Sequence, residues 1–361
     1  MTQNASIKVL IVEDSLSCQL LLTEILTSDP RIQVIGTAQS GEEAFTLLNR
    51  LKPDLILMDI QMPGMNGLHI TRKIMETNPV PIVVCSSSVN PSDPNTTFGS
   101  LAAGAVSVVA KPVGPGHKDF DTEASKLIET VKLMAEVKVV KRWSSGHLLR
   151  KTPKINGSIP VIAPSEQISV IAIGASTGGP PALQTILSAL PKDFPAGIMI
   201  VQHIAPGFLP GMVQWISQTT RFQTKIATHG EKLLPGTAYF APDNFHMGLL
   251  PEGEICLSSA SAEYGVRPSV NYLFRSVASA RGLKSVGILL TGMGKDGAAS
   301  LKVLKDSGAI TIAQDRETSV VHGMPGEAIN LGAAKYILSL EAIPSLLVEL
   351  VCNKVHALHS T

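Results

Sequence analysis

Gly174-Ala-Ser176-Thr-Gly178-Gly-Pro follows the apolar run Ile168 to Ile173 and precedes Leu183, Ile186, Leu187 and Leu190 at helical spacing. Such a turn presents one hydroxyl where a strand ends and a helix begins. The flanking glycines let the backbone turn sharply, and the amides of an unfinished helix point at whatever negative charge develops there. Nucleophilic attack by Ser176 is the chemistry on offer, with a plain glycine-rich turn or a phosphate cradle as the alternative. A nucleophilic serine needs a base and an orienting acid. Nine histidines supply several bases, and His203 directly follows the strand-like run Gly197 to Gln202. Asp296 lies in Thr291-Gly-Met-Gly-Lys-Asp296-Gly, another glycine-rich turn after the apolar run Val286 to Leu290. Two chain orders stay open on these residues: Ser176, Asp296, His322, the order of the α/β-hydrolase pattern, or Ser176, His203, Asp296.

A second constellation stands upstream. Glu13 and Asp14 end a strand pattern at Ile7 to Val12, Asp59 ends one at Leu55 to Met58, Ser86 ends one at Ile82 to Cys85, and Lys111 follows Ala105 to Val109. Three carboxylates held together repel one another unless a hard cation such as Mg²⁺ neutralises them. Asp59 is then placed to attack a phosphoryl donor, with Ser86 and Lys111 binding the phosphoryl oxygens. Taken singly, each residue reads as a loop group; five in register at strand ends read as one pocket.

The elements that must position these residues alternate. Strand patterns, including one at Ile32 to Thr37, are separated by helical patterns near 16–27, 41–51, 67–77, 94–103 and 119–137. Short apolar strands between helices predict a doubly wound parallel sheet whose ligands sit at the carboxyl ends of its strands. A second α/β domain is expected from Ile168 onward, with an antiparallel excursion around Gly236 to Leu257. Between them, Lys138, Lys141, Arg142, Arg150, Lys151 and Lys154 stand among Ser, Gly and Pro with no apolar period, as in a solvated linker.

The chain has 361 residues, more than one core usually covers, so two domains are the default. A formal charge of +1 gives no basic field for nucleic acid, and no nucleic-acid-binding signature is present. No window is long and apolar enough to span a bilayer, and the first residues lack a signal-peptide pattern. A cytoplasmic protein, not inserted in a membrane and monomeric, is expected. Cys18, Cys85, Cys256 and Cys352 form neither a metal-type pair nor a disulfide framework and are expected as reduced, mostly buried thiols.

Residues 1–137, with Asp59 followed by Met-Pro-Gly-Met-Asn-Gly67, resemble the receiver domain of two-component response regulators. Two positions depart from that pattern: Glu13 stands where aspartate is frequent, and Val108 where many receivers carry an aromatic switch residue. Gly174-Ala-Ser-Thr-Gly-Gly, Gln202-His203, Thr291-Gly-Met-Gly-Lys-Asp-Gly and Gly323-Met-Pro-Gly-Glu-Ala-Ile resemble the chemotaxis protein-glutamate methylesterase family, as do Ala241-Pro-Asp-Asn-Phe-His246 and Arg267-Pro-Ser-Val. The resemblance implies a flavodoxin-like five-stranded receiver (1–137), a linker (138–166) and a larger α/β methylesterase domain (167–361). It selects the order Ser176, His203, Asp296 as catalytic residues, with the backbone amides of Thr177 and Met293 meeting the oxyanion. It also implies Asp59 as phosphorylation site, Mg²⁺ at Glu13, Asp14 and Asp59, and no cofactor in the catalytic domain.

The activity so implied is hydrolysis of glutamate γ-methyl esters, and deamidation of glutamines, on chemoreceptors, with a chemotaxis histidine kinase as phosphodonor. An unmodified receiver would block the site until Asp59 is phosphorylated. A catalytically dead receptor-binding module and an α/β-hydrolase for a small ester, with Asp296 and His322, are the competing readings. Arg267 would steer an acidic receptor helix or pair with a surface carboxylate.

Overall fold

A computed structural model of the chain describes residues 6–62, 67–86, 94–137, 139, 168–280 and 284–352. The expected linker at 138–166 lies outside the described residues except for Val139, as do Pro63 to Asn66 after Asp59. The chain divides into two compact units, Met1–Leu149 and Arg150–Thr361.

The first unit alternates β1 (Ile7–Val12), α1 (Leu16–Thr27), β2 (Ile32–Ala38), α2 (Gly41–Leu51) and β3 (Leu55–Met58). It continues through α3 (Gly67–Thr77), β4 (Ile82–Ser86), α4 (Pro94–Ala103), β5 (Ser107–Ala110) and α5 (Phe120–Ala135). Its five strands pair in parallel in the order β2-β1-β3-β4-β5. Strands such as β3 and β4 are buried at every residue because α1 and α5 cover one face while α2, α3 and α4 pack on the other. Ser15 caps α1 by accepting the Cys18 amide, which ends the β1 turn two residues past Glu13. Register does the positioning. Val12 pairs with Met58, so Glu13 and Asp59, one residue beyond each, emerge side by side at the point where the strand order reverses. Ser86 pairs with Ala110, which delivers Lys111 to the same edge.

The second unit begins with β6 (Ile168–Ala175), α6 (Gly179–Ala189), β7 (Gly197–Gln202), α7 (Leu209–Thr220), β8 (Gln223–Ile226) and β9 (Thr237–Phe240). Next come β10 (His246–Leu249), β11 (Ile255–Ser258), α8 (Val270–Ser279), β12 (Lys284–Leu289) and α9 (Ala298–Asp306). The last elements are β13 (Ile310–Gln314), α10 (Met324–Asn330), β14 (Tyr336–Leu338) and α11 (Ala342–Cys352). Seven strands form one parallel sheet in the order β14-β13-β12-β6-β7-β9-β8, while β10 and β11 make a separate antiparallel pair. The antiparallel excursion is therefore shorter than its expected span, Gly236 to Leu257. Thr237–Phe240 joins the main sheet, all four of its residues buried beside β7, and only His246 onward turns back on itself.

The central strands β12, β6 and β7 carry the serine, histidine and aspartate at or after their carboxyl ends. Ala175 pairs with Gln202, so Ser176 and His203 leave the sheet as neighbours. Helices α6, α7 and α11 pack together on one side, and α8, α9 and α10 on the other. All four cysteines are free thiols, but only Cys85 is buried; Cys18, Cys256 and Cys352 are partly exposed, which corrects the expectation of mostly buried thiols. Among the described residues no helix is long and apolar enough to cross a membrane.

Candidate active site

Ser176 is the first residue past β6, partly exposed, with its amide donating to the Thr291 carbonyl at 3.0 Å. The chain can turn there because Gly178 takes φ +79°, a left-handed conformation, at the N-terminus of α6. Gln202, the last residue of β7, ties this turn to the next one. Its Nε2 donates to the carbonyls of both Ser176 and His203, each at 2.8 Å. A Cβ at Gly179 would lie 2.0 Å from Gln202 Oε1 and 2.9 Å from the Ala175 Cβ, and Gln202 cannot swing away without losing both bonds. Gly179→Ala is therefore expected to destabilise the second unit by about 1–3 kcal/mol, read from denaturant unfolding. A midpoint equal to that of the parent would show the strand-end clamp to be slack.

His203, with its side chain 15% exposed, places Nε2 3.0 Å from Asp296 Oδ2. The approach is close but off the line of a well-formed hydrogen bond from the ring. Asp296 is itself buried and accepts three further hydrogen bonds: the Ser269 hydroxyl (2.9 Å) and the Asn271 amide (3.0 Å) on Oδ1, and the Val270 amide (2.7 Å) on Oδ2. Those amides open α8, so the carboxylate sits on a helix N-terminus. Burial pushes the Asp296 carboxyl up, but the imidazole and the two amides outweigh it and hold the group below its ordinary value. With Nε2 turned to the carboxylate, Nδ1 is the ring nitrogen left to deal with a hydroxyl. No hydrogen bond joins the Ser176 hydroxyl to His203 among the described residues.

His322 takes a different place. Its Nδ1 lies 3.3 Å from the Ser319 hydroxyl and it does not contact Asp296; burial and then the Arg316 charge lower its pKa. The carboxylate thus faces His203, and the order ending in His322 is left without its acid. The Thr177 and Met293 amides donate no hydrogen bond among the described residues. The Met293 loop is held by Gly323 and Met324, whose amides both donate to the Gly292 carbonyl, and by the Thr291 hydroxyl, which donates to the Thr177 carbonyl at 2.9 Å. Arg267 Nη1 donates to the carbonyls of Ser259 and Ala260, and among the described residues it pairs with no carboxylate. Ser269 and Gln202 stand inside motifs quoted from the sequence, but neither they nor the α8 amides are given a role there. A helix-start serine just after Arg267-Pro268 was the available signal for the first.

In the first unit Glu13, Asp14 and Asp59 bring carboxylate oxygens within 4.8 Å of one another. Lys111 Nζ lies 2.7 Å from Glu13 Oε2 and 2.8 Å from Asp59 Oδ2, and the Gln61 amide donates to Asp59 Oδ1. Burial raises the Glu13 carboxyl, and the Asp59 charge adds to that, against the pull of Lys111. Burial would lower Lys111, yet the two carboxylates more than reverse it and keep the ammonium charged. Ser86, buried at the end of β4, completes the same edge, and its carbonyl accepts the Lys111 amide.

Fold and strand-end chemistry together define a class: a receiver-type domain followed by an α/β domain of hydrolase type. Residues 9–117 match the response regulator receiver domain and residues 171–347 the CheB methylesterase domain. The chain is 50% identical over 351 residues to protein-glutamate methylesterase/protein-glutamine glutaminase 4 of Geobacter metallireducens, covering 96% of this chain and 100% of the relative. It is also 50% identical over 344 residues to the corresponding protein 1 of Syntrophus aciditrophicus, covering 95% and 98%. The crystal structure of the Thermotoga maritima CheB methylesterase catalytic domain is 40% identical and covers 51% of this chain and 100% of that one, with a TM-score of 0.49. The chain belongs to the protein-glutamate methylesterase/protein-glutamine glutaminase family.

Proposed function

We propose that this protein hydrolyses glutamate γ-methyl esters on chemoreceptors, releasing methanol, that it deamidates receptor glutamines by the same route, and that phosphorylation of Asp59 by a chemotaxis histidine kinase raises its activity. The observation that carries the catalytic part is the 3.0 Å contact of His203 with Asp296 beside the Ser176 turn. Ser176 Oγ attacks the side-chain carbonyl carbon while His203 takes its proton at Nδ1, the nitrogen that does not face Asp296. Such relays often tighten only when substrate binds. The negative charge that forms on the carbonyl oxygen is met by the Thr177 and Met293 amides, whose freedom from other partners supports this role; one such donor is worth roughly 10²- to 10³-fold in rate. His203 then gives its proton to the departing methanol or ammonia, and water, activated by the same imidazole, cleaves the acyl-serine ester. Asp296 stays ionised throughout, holding the proton of Nε2 and balancing the imidazolium.

The receiver cluster fits Mg²⁺ on its donor chemistry: three hard carboxylates converge within one ion's reach, and one buried Glu13 oxygen lacks a well-aligned donor. Glu13, Asp14 and Asp59 would hold the ion, which when bound neutralises charge on an incoming phosphoryl group. Lys111 is placed to bind a phosphoryl oxygen, and Ser86 to bind another. The longer Glu13 side chain reaches the cluster in spite of its departure from aspartate. Asp59→Asn keeps the shape of the site but removes its nucleophilic oxygen. It is expected to abolish the rate increase that a small phosphodonor gives the full chain while leaving the basal rate in place. Methanol release from methylated receptor fragments reads this, and an increase that persisted in Asp59→Asn would refute Asp59 as the acceptor.

A further inference from the structure

Two sequence motifs, Ala241-Pro-Asp-Asn-Phe-His246 and Arg267-Pro-Ser-Val270, take no direct part in the relay above, yet both lead to its acid. His246 opens β10 and is fully buried, its ring stacked on Tyr272 at 4.7 Å. Its Nε2 lies 3.0 Å from the Ser261 carbonyl and its Nδ1 3.1 Å from the Ser269 amide. A carbonyl can only accept and an amide can only donate, so the ring carries its proton on Nε2 and its lone pair on Nδ1. Ser269, also fully buried, has its amide fixed by that lone pair and its hydroxyl on Asp296 Oδ1 at 2.9 Å. The same hydroxyl accepts the Tyr272 amide at 3.5 Å, capping α8, whose next two amides grip the carboxylate. A histidine buried at zero exposure with both nitrogens used is costly to build for packing alone.

We propose that Ser269 and His246 are positioning residues for catalysis: His246 fixes the Ser269 backbone, and Ser269 holds Oδ1 of Asp296 so that Oδ2 is presented to His203. The inference rests on reading Ser176, His203 and Asp296 as the catalytic relay. Two readouts separate it from a purely structural role: a split between kcat and KM, and rescue by a conservative variant. Orientation of the acid is needed in the reaction step, so loss of the Ser269 hydroxyl lowers kcat and leaves KM in place. Rescue by a residue that keeps the hydroxyl is the second, since a purely structural defect at a buried, tightly packed position is not repaired by adding a methyl group.

The test uses the full chain, a receptor-derived peptide carrying a glutamate γ-methyl ester, and methanol release per folded molecule, with the folded fraction taken from thermal melts. For Ser269→Ala the expected result is a fall in kcat of roughly tenfold with unchanged KM. Ser269→Thr, which keeps a hydroxyl, recovers most of the rate. His246→Asn, which keeps an acceptor near Nδ1, retains more kcat than His246→Leu. Unchanged kcat in Ser269→Ala overturns the proposal, as does an equal loss in Ser269→Thr, and equal rates in the two His246 variants remove His246 from it. Ser176→Ala is measured alongside: if it remains active, the relay reading itself fails, whereas an inactive Ser176→Ala with an unaffected Ser269→Ala refutes only the positioning role.

Discussion

Ser176→Ala is expected to lower ester hydrolysis by roughly a millionfold while the second unit stays folded. The substitution deletes one oxygen at a partly exposed turn, where that hydroxyl makes no hydrogen bond among the described residues. The bonds that build the turn come from the backbone and survive: the Ser176 amide to Thr291, its carbonyl from Gln202 and from the Gly179 amide. Stability should therefore shift by no more than about 0.5 kcal/mol. What disappears is the covalent route, and with it the purpose of the base and the acid. His203→Ala is expected to cost a comparable factor, and the double variant no more than either single one, because residues acting as a unit do not add. The Thr177 and Met293 amides persist in all three, which leaves about 10³-fold over the uncatalysed reaction. His322→Ala keeps most of the rate, since that ring has no contact with Asp296. A fully active Ser176→Ala would end the serine mechanism; loss of activity in His322→Ala with His203→Ala unaffected would exchange the base.

Asp296→Asn is expected to cost about 10⁴-fold in kcat, because it sets the wrong tautomer at His203. The carboxylate accepts Ser269 and Asn271 on one oxygen and Val270 on the other, the oxygen that also faces His203 Nε2 at 3.0 Å. An amide can satisfy the first pair with its oxygen, but its nitrogen then faces the Val270 N–H and forces the imidazole to accept, moving the ring proton to Nδ1. That nitrogen can no longer take the Ser176 proton. A donor set against a donor in a buried site also destabilises the fold, by about 1–3 kcal/mol. The pH dependence carries a definite sign. The native carboxyl is held below its ordinary value, so the unfolded chain binds the proton more readily. The stabilising contribution is complete above the ordinary carboxylate range near pH 4 and is lost as pH falls through the native value. Chemical denaturation from pH 7 downward should show the parent losing its advantage over Asp296→Asn in that acid range; a constant difference would mean that the carboxylate is not held in its ionised form by its surroundings.

Much of the fold can be read from the chain because burial on both faces leaves a plain trace. In a doubly wound sheet each strand is covered twice, so runs such as Leu55–Met58 and Ile168–Ile173 are apolar throughout, and the residue after each run is the one that meets solvent and ligand. Glu13, Asp59, Lys111, Ser176 and His203 are therefore legible as strand-end groups before any geometry is known. Thr237–Phe240 is harder to read, since a four-residue strand between two turns gives no indication of direction. Its parallel pairing with β7 depends on how β8 and α7 bring the chain back, which is a long-range choice.

The serine turn and the aspartate turn are local inventions of the sequence: glycines beside a polar residue after an apolar strand fix where Ser176 and Asp296 can stand. Which histidine meets Asp296 is a different kind of fact. The sequence leaves His203, at a strand end, and His322, last in the α/β-hydrolase order, both open as the base, and only the pairing of Ala175 with Gln202 and of β12 with β6 puts one imidazole 3.0 Å from the carboxylate. The environment of that carboxylate is likewise tertiary. Ser269 stands 27 residues before Asp296 and His246 a further 23 before Ser269, and no local pattern links them. They meet because burying a charge demands several donors at once, and the helix N-terminus at α8 is where this fold can supply them. The sequence alone decided which chemistry was available at each strand end, and the packing of three neighbouring strands against α8 decided which groups act together.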